Sequence, residues 1–225
     1  GTEKTSVTNT QSSLLQRAKK QPEQVKLVLD YIKKEGIKST YDRVMSKLHD
    51  YKVLGYSAVG TVVETDCDDF AVGDRVACGG AGYANHAEYI AIPKNLACKI
   101  PENVTLEDAS YTTLGSSAMQ GVRQANIRLG ENVAVIGLGL LGQITIQLLK
   151  ASGCKVVGLD IDESLFEQAK KFGCDATYPS SLDYVKNINA FTKGLGCDAV
   201  IITASTTSNE PIELAIQLAR KKGRV

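Results

Sequence analysis

The sequence predicts an α/β fold in two units: a β-rich unit with a helical insertion, then a parallel sheet flanked by helices. Three observations carry the prediction. Charged text with helical periodicity fills residues 12–50, and short β-rich runs divided by glycines follow Leu54. From Asn132 onward, apolar strands alternate with amphipathic helices.

Within the insertion, Ser13 and Gln16 fit a capping box and Pro22 suits a first helical turn, while Val25, Val28, Leu29 and Ile32 keep helical spacing. Gly36 is the expected stop, and Thr40 the expected cap of a second helix running to about Leu48. This hairpin is expected either to pack on the main body or to cover the mouth of a site or present a partner surface. The β-rich runs are 58–64, 74–78, 87–92 and 97–100, with turn signals at Gly55, Gly60, Gly73, Gly79, Gly80, Pro93 and Pro101. They suggest a small barrel or sandwich-like unit. Residues 107–124 read as one or two bridging helices. Strands are then expected at 133–136, 155–159, 176–178 and 199–203, and helices at 140–151, 164–172, 182–192 and 211–220. Strands that are apolar throughout, rather than alternating, indicate burial on both faces and therefore a parallel sheet.

Composition excludes several function classes. The 225 residues hold 26 Lys+Arg against 25 Asp+Glu, a net charge of +1 that gives no basic face for nucleic acid or an anionic membrane. No apolar run approaches the roughly 20 residues of a membrane-spanning helix. The six cysteines, at 67, 78, 98, 154, 174 and 197, form no Cys-x-x-Cys pair, and no secretory signal precedes them. They are expected to be reduced and mostly buried, in a cytoplasmic protein.

The strongest motif is Gly137-Leu138-Gly139-Leu140-Leu141-Gly142. It follows an expected strand and opens an expected helix, the setting in which G-x-G-x-x-G binds a dinucleotide. Gly137 permits a tight turn, Gly139 lets backbone approach a pyrophosphate, and Gly142 lets the helix pack close to the sheet. The free N–H groups of the helix start face the phosphates. Asp160 ends the second strand at the distance where an acid meets the adenosine ribose; its charge would repel a 2′-phosphate, which favours NAD(H). Asp162 is expected to cap the next helix instead. Thr203, ending the fourth strand, is a further expected cofactor contact.

The glycine loop, the acid and the β-rich unit together resemble the medium-chain dehydrogenase/reductase superfamily of the alcohol-dehydrogenase type. Residues Leu54–Glu64 resemble its G-H-E-x-x-G-x-V-x-E stretch, and Val72-Gly73-Asp74-Arg75-Val76 its V-G-D-R-V turn. Residues Tyr83–Tyr89 resemble its G-x-(Y/F)-A-E-Y region, and Gly1-Thr2-Glu3 the end of its C-G-T-D motif. The resemblance implies a GroES-like β-barrel catalytic domain over 1–114, with the insertion at about 12–50, and a Rossmann domain over 115–225. It also implies a small-molecule substrate bound between them and allows a homo-oligomer. A zinc-less branch associated with bacterial polysaccharide biosynthesis is similar in detail, through L-G-Y-S-x-x-G and Gly121-Val122-Arg123-Gln124-Ala125, and implies a sugar-derived substrate. Both domains read as incomplete, with Arg224-Val225 opening a fifth strand; such a piece is expected to bind NAD weakly and catalyse little.

Zinc-dependent members hold the metal with Cys, His and a second Cys or an acid. Here the His position is Tyr56, its neighbour is Ser57, and the third-ligand region is Thr112-Thr113-Leu114-Gly115-Ser116. The four-Cys structural lobe is absent, leaving only Cys78 after Val76. No metal is therefore expected. Proton handling falls to three candidates: Tyr56 in place of the zinc His, His86 in the Gly-rich loop, and Thr2 at the position of the family's proton-relay hydroxyl. Tyr56 reads equally as packing, and His86 as a surface residue. The expected function is an NAD(H)-dependent oxidoreductase acting on an alcohol or carbonyl. Its rivals are an NADPH-dependent quinone- or enoyl-type reductase and a catalytically inactive dinucleotide-binding or redox-sensing module.

Overall fold

A computed structural model of the chain describes residues 22–49, 53–180 and 183–225. Thr2 and the Ser13–Gln16 capping box lie outside the described residues. Helix α1 (Pro22–Glu35) starts at its proline and stops at Gly36, whose φ of +83° suits only glycine. Helix α2 (Ile37–His49) resumes at the next residue, four positions earlier than a Thr40 cap would place it. Thr40 is instead buried inside the helix, and its hydroxyl donates to the Gly36 carbonyl at 2.8 Å. The two helices pack on each other, with Leu27, Leu29, Ile37 and Tyr41 exposed.

The β-rich unit is an antiparallel sheet of three strands in the order β1 (Ser57–Thr61), β2 (Arg75–Gly79) and β3 (Ala97–Lys99). The expected strand over 87–92 does not form. Ile90 and Ile92 pack under the cluster of Val76, Cys78 and Ala84 from a chain of bends. Their alternation therefore reports one-sided burial without ladder pairing. Two helices follow, α3 (Leu106–Ala109) and α4 (Thr112–Gln124); α3 is capped by Thr105, whose hydroxyl oxygen accepts the Asp108 N–H.

The second unit holds a five-stranded parallel sheet in the order β6-β5-β4-β7-β8. Its strands are β4 (Asn132–Ile136), β5 (Lys155–Asp160), β6 (Ala176–Pro179), β7 (Cys197–Ile202) and β8 (Ala219–Arg224). The intervening helices are α5 (Leu140–Ala151), α6 (Phe166–Lys171), α7 (Tyr184–Phe191) and α8 (Glu210–Leu218). Val133 and Val135 point into one apolar cluster and Ala134 and Ile136 into another, one on each face of the sheet. The chain leaves β4 in one direction through β5 to β6, then returns to β7 on β4's other side. That reversal opens a crevice at the carboxyl ends of β4 and β7.

All six cysteines are free thiols; Cys78, Cys154, Cys174 and Cys197 are buried. No helix among the described residues is long and apolar enough to cross a membrane.

Candidate functional site

The glycine loop sits at the crevice. Gly137 has φ +95°, and a β-carbon there would lie 2.5 Å from the Ala204 nitrogen. A β-carbon at Gly142 would overlap the Gly137 carbonyl oxygen, so α5 can begin this close to β4 only with glycine at that position. Gly139 differs: nothing lies within 4 Å of where its β-carbon would be. The space beside it is open, as a ligand's approach requires.

Leu138 anchors the loop from inside. Its side chain is fully buried and seats on Gly158 of β5, where any β-carbon would meet Leu138 Cδ2 at 2.9 Å. The Leu138 N–H donates to Asp160 Oδ2 at 2.6 Å, and the Asp162 N–H donates to Asp160 Oδ1 at 2.9 Å. Thr203, at the end of β7, donates its hydroxyl to the Gly137 carbonyl at 2.5 Å. The peptide between Gly137 and Leu138 is therefore held at both ends, its N–H by the acid of β5 and its carbonyl by the hydroxyl of β7. The N–H groups of Gly139, Leu140 and Leu141 carry no acceptor among the described residues, the expected state of a helix start. Together these groups make an anion-sized cradle beside a carboxylate that still has lone pairs to offer.

Of the residues expected to contact a cofactor, the structure brings the glycines, Asp160 and Thr203 together, Thr203 through a backbone carbonyl of the loop. Gly158, on which Leu138 seats, and the buried Gln143 stand in the same place without having been singled out in the sequence; Gln143 shows there only as a polar interruption of an apolar helix. Asp162 caps the short 3₁₀ turn Glu163–Leu165 by accepting the Ser164 N–H and hydroxyl. Those two bonds hold its carboxyl below the usual range.

The backbone of His86 lies against Leu54 and Gly55, the residues just before Tyr56. The His86 N–H donates to the Leu54 carbonyl, the Gly80 N–H donates to the Tyr56 carbonyl, and a β-carbon on Gly55 would meet the His86 nitrogen at 2.7 Å. Tyr56 is half-buried and His86 exposed. Thr112 donates to the Ala109 carbonyl at 2.7 Å, and Thr113 packs its hydroxyl on Gly79. The Tyr56 backbone carbonyl and the Thr113 hydroxyl thus lie beside Gly80 and Gly79, and Tyr and Thr hydroxyls are poor zinc ligands beside Cys and His. Among the described residues, no three of His, Cys, Asp and Glu are gathered where they could hold a metal ion. A cavity of about 510 Å³ opens between α4 and β7, lined by Gly121, Gln124, Val200 and Ile202 among others. It contains none of the candidate residues.

The family model described as zinc-binding dehydrogenase matches residues 141–225. The D-guloside 3-dehydrogenase of Shigella flexneri is 36% identical over 155 residues, covering 67% of this chain and 44% of that protein. The chain therefore spans less than half the length of that relative. The alcohol dehydrogenase of Thermus sp. ATN1 matches with a TM-score of 0.69 at 24% identity, over 77% of this chain and 60% of that one. A mycobacterial protein complexed with NADPH matches with a TM-score of 0.67 at 24% identity, over 82% and 58%. These two structures share the fold. With the family match, the curated relative and the glycine loop on the crevice of a parallel sheet, the chain belongs to the medium-chain dehydrogenase/reductase superfamily, oxidoreductases that bind a nicotinamide dinucleotide.

Proposed function

We propose that the protein is an NAD(H)-dependent oxidoreductase that moves hydride to or from an alcohol or carbonyl carbon of a small, sugar-derived molecule, without catalytic zinc. The observation that carries this reading is the glycine loop, with three unclaimed N–H groups on one side and the Asp160 carboxylate at its edge. The bound nicotinamide supplies the hydride carrier. Gly139, Leu140 and Leu141 bind the pyrophosphate through backbone N–H groups, and the remaining lone pairs of Asp160 accept the adenosine ribose hydroxyls. A 2′-phosphate would meet that carboxylate charge to charge, which supports NAD over NADP. The sugar class is supported by the curated relative, a D-guloside 3-dehydrogenase. The absence of zinc is supported by the hydroxyls of Tyr56 and Thr112 in the ligand positions. Tyr56 is then the group that holds the substrate oxygen and moves its proton, with His86 beside it. Thr2 belongs to the same reading, as do a catalytic unit over 1–114, a dinucleotide unit over 115–225 and a cytoplasmic location.

Titrating NADH and NADPH into the protein, with a screen of sugars and alcohols, tests the proposal. NADH is expected to bind at least tenfold more tightly, since each tenfold is about 1.4 kcal/mol and one charge repulsion exceeds that. Tighter NADPH would move the reading to a quinone- or enoyl-type reductase. Binding without turnover on any substrate would leave a catalytically inactive dinucleotide-binding module. In a preparation that turns over, Tyr56→Phe is expected to lower turnover with little change in NAD binding. One equivalent of zinc per chain would sink the metal-free part.

A further inference from the structure

Immediately after the last glycine of the motif stands a buried amide. Gln143, in the first turns of α5, is 7% exposed. Its Nε2 donates to the Leu138 carbonyl at 2.9 Å and to the Leu165 carbonyl at 3.3 Å. Its Oε1 is buried with no partner among the described residues. The orientation is forced, because turning the amide over would set its oxygen against two carbonyl oxygens.

The two carbonyls belong to two different parts of the site. Leu138 lies inside the glycine loop, and Leu165 closes the 3₁₀ turn that follows Asp160 and Asp162. A trans peptide points its carbonyl and the following N–H in opposite directions, and no peptide bond here is cis. Drawing the Leu138 carbonyl back toward the Gln143 side chain therefore turns the Gly139 N–H the other way, where it has no acceptor among the described residues.

We propose that Gln143 is a positioning residue for phosphate binding: its amide sets the Leu138–Gly139 peptide plane so that the Gly139 N–H faces the pyrophosphate, and ties that plane to the turn beside the ribose acid. The ligand half of this proposal rests on the dinucleotide reading above. The unpaired Oε1 shows which part of the side chain is in use. A methionine would fill the same volume without burying an unsatisfied acceptor, so the glutamine is present for its two donors.

The test compares the wild-type chain with Gln143→Met, which keeps the length and removes the donors. In the ligand-free protein, hydrogen exchange at the Leu138 N–H and across 162–166 is expected to speed up at least tenfold, with exchange in β4 and β7 unchanged. Affinity for ADP is expected to fall about tenfold, while affinity for adenosine, which has no phosphate, stays within twofold. Unchanged exchange at both places overturns the clamp. Equal losses for ADP and adenosine overturn the phosphate-specific role. If the wild-type chain binds neither ligand, the dinucleotide reading fails, and the exchange measurement alone decides the clamp. If Gln143→Met does not fold, the wild-type side-chain amide decides by ¹⁵N NMR: slow exchange with a shift on adding ADP supports the proposal, and exchange as fast as surface glutamines overturns it.

Discussion

Asp160 accepts the backbone N–H of Leu138 at 2.6 Å, so the acid that ends β5 is part of the glycine loop's own scaffold. Removing the carboxylate takes more than a ribose partner. It leaves the N–H of a fully buried residue without its acceptor, at a cost of about 1–3 kcal/mol. Asp160→Ala is therefore expected to lower the melting temperature, to weaken NADH through both the lost ribose acceptor and the loosened loop, and to narrow the NADH preference without making NADPH bind better than it does to the parent. Thermal unfolding and parallel titrations check this; a variant of unchanged stability with improved NADPH affinity would show that the scaffold role is negligible.

Gly139 and Gly142 separate binding from folding within one motif. Open space surrounds Gly139, and its φ of −65° is accessible to any residue. Gly139→Ala is expected to fold with stability within about 1 kcal/mol of the parent, yet to bind ADP poorly because the methyl fills the approach. Gly142→Ala overlaps the Gly137 carbonyl and should destabilise by about 2–4 kcal/mol. Chemical denaturation of both variants, read beside ADP affinity, distinguishes them. The order would be wrong if Gly139→Ala were the less stable.

Acid should loosen the sheet through Asp198 on β7. Burial works to raise its pKa, but hydrogen bonds from Arg220 and the Asn132 N–H, with the charges of Arg220 and Arg224, prevail and hold it below the ordinary 3.8. A carboxyl depressed in the folded state stabilises fully above its unfolded pKa and loses that contribution as pH falls through the folded one. Stability is expected to decline as pH drops below about 4, and Asp198→Asn to be less stable at pH 7 with a flatter acid limb. Denaturation midpoints from pH 7 to pH 2.5 would expose an Asp198 that contributes nothing, since the two curves would then run parallel.

Thiol reactivity should follow burial. Desolvation pushes Cys174 up to about 11 and Cys197 up to about 12, whereas Cys98 is exposed. At pH 8 the thiolate fraction of Cys197 is on the order of one in ten thousand. Alkylation of the native protein is expected at Cys98 first, with Cys174 and Cys197 modified only after unfolding. Peptide mapping reads the order directly, and early labelling of Cys197 would contradict the packing described for β7.

The parts of the fold written in local pattern were legible in the sequence. Helix α5 occupies the residues its periodicity marks, and the glycine loop and Asp160 stand at the ends of β4 and β5, where a G-x-G-x-x-G setting puts them. What was not legible depends on partners distant in the chain. Gly158 looks like any strand glycine until Leu138 is seated on it, and Gln143 gains meaning only from Leu165, 22 residues onward. The Thr40 cap failed for a local reason. One glycine in a left-handed conformation can end a helix and let the next begin at once, so the capping residue had no gap to fill. The run over 87–92 shows that alternation reports which side is buried, and only hydrogen bonding decides whether it is a strand.

The glycine loop also bears on kinetics. Its two peptide planes are held by Thr203, Asp160 and Gln143 with no ligand in place. A phosphate arriving there meets N–H groups already preorganised, and little ordering entropy remains to be lost on binding. Differences in affinity among phosphate-bearing ligands should therefore appear in how fast they leave, with arrival rates set by diffusion and nearly the same for all.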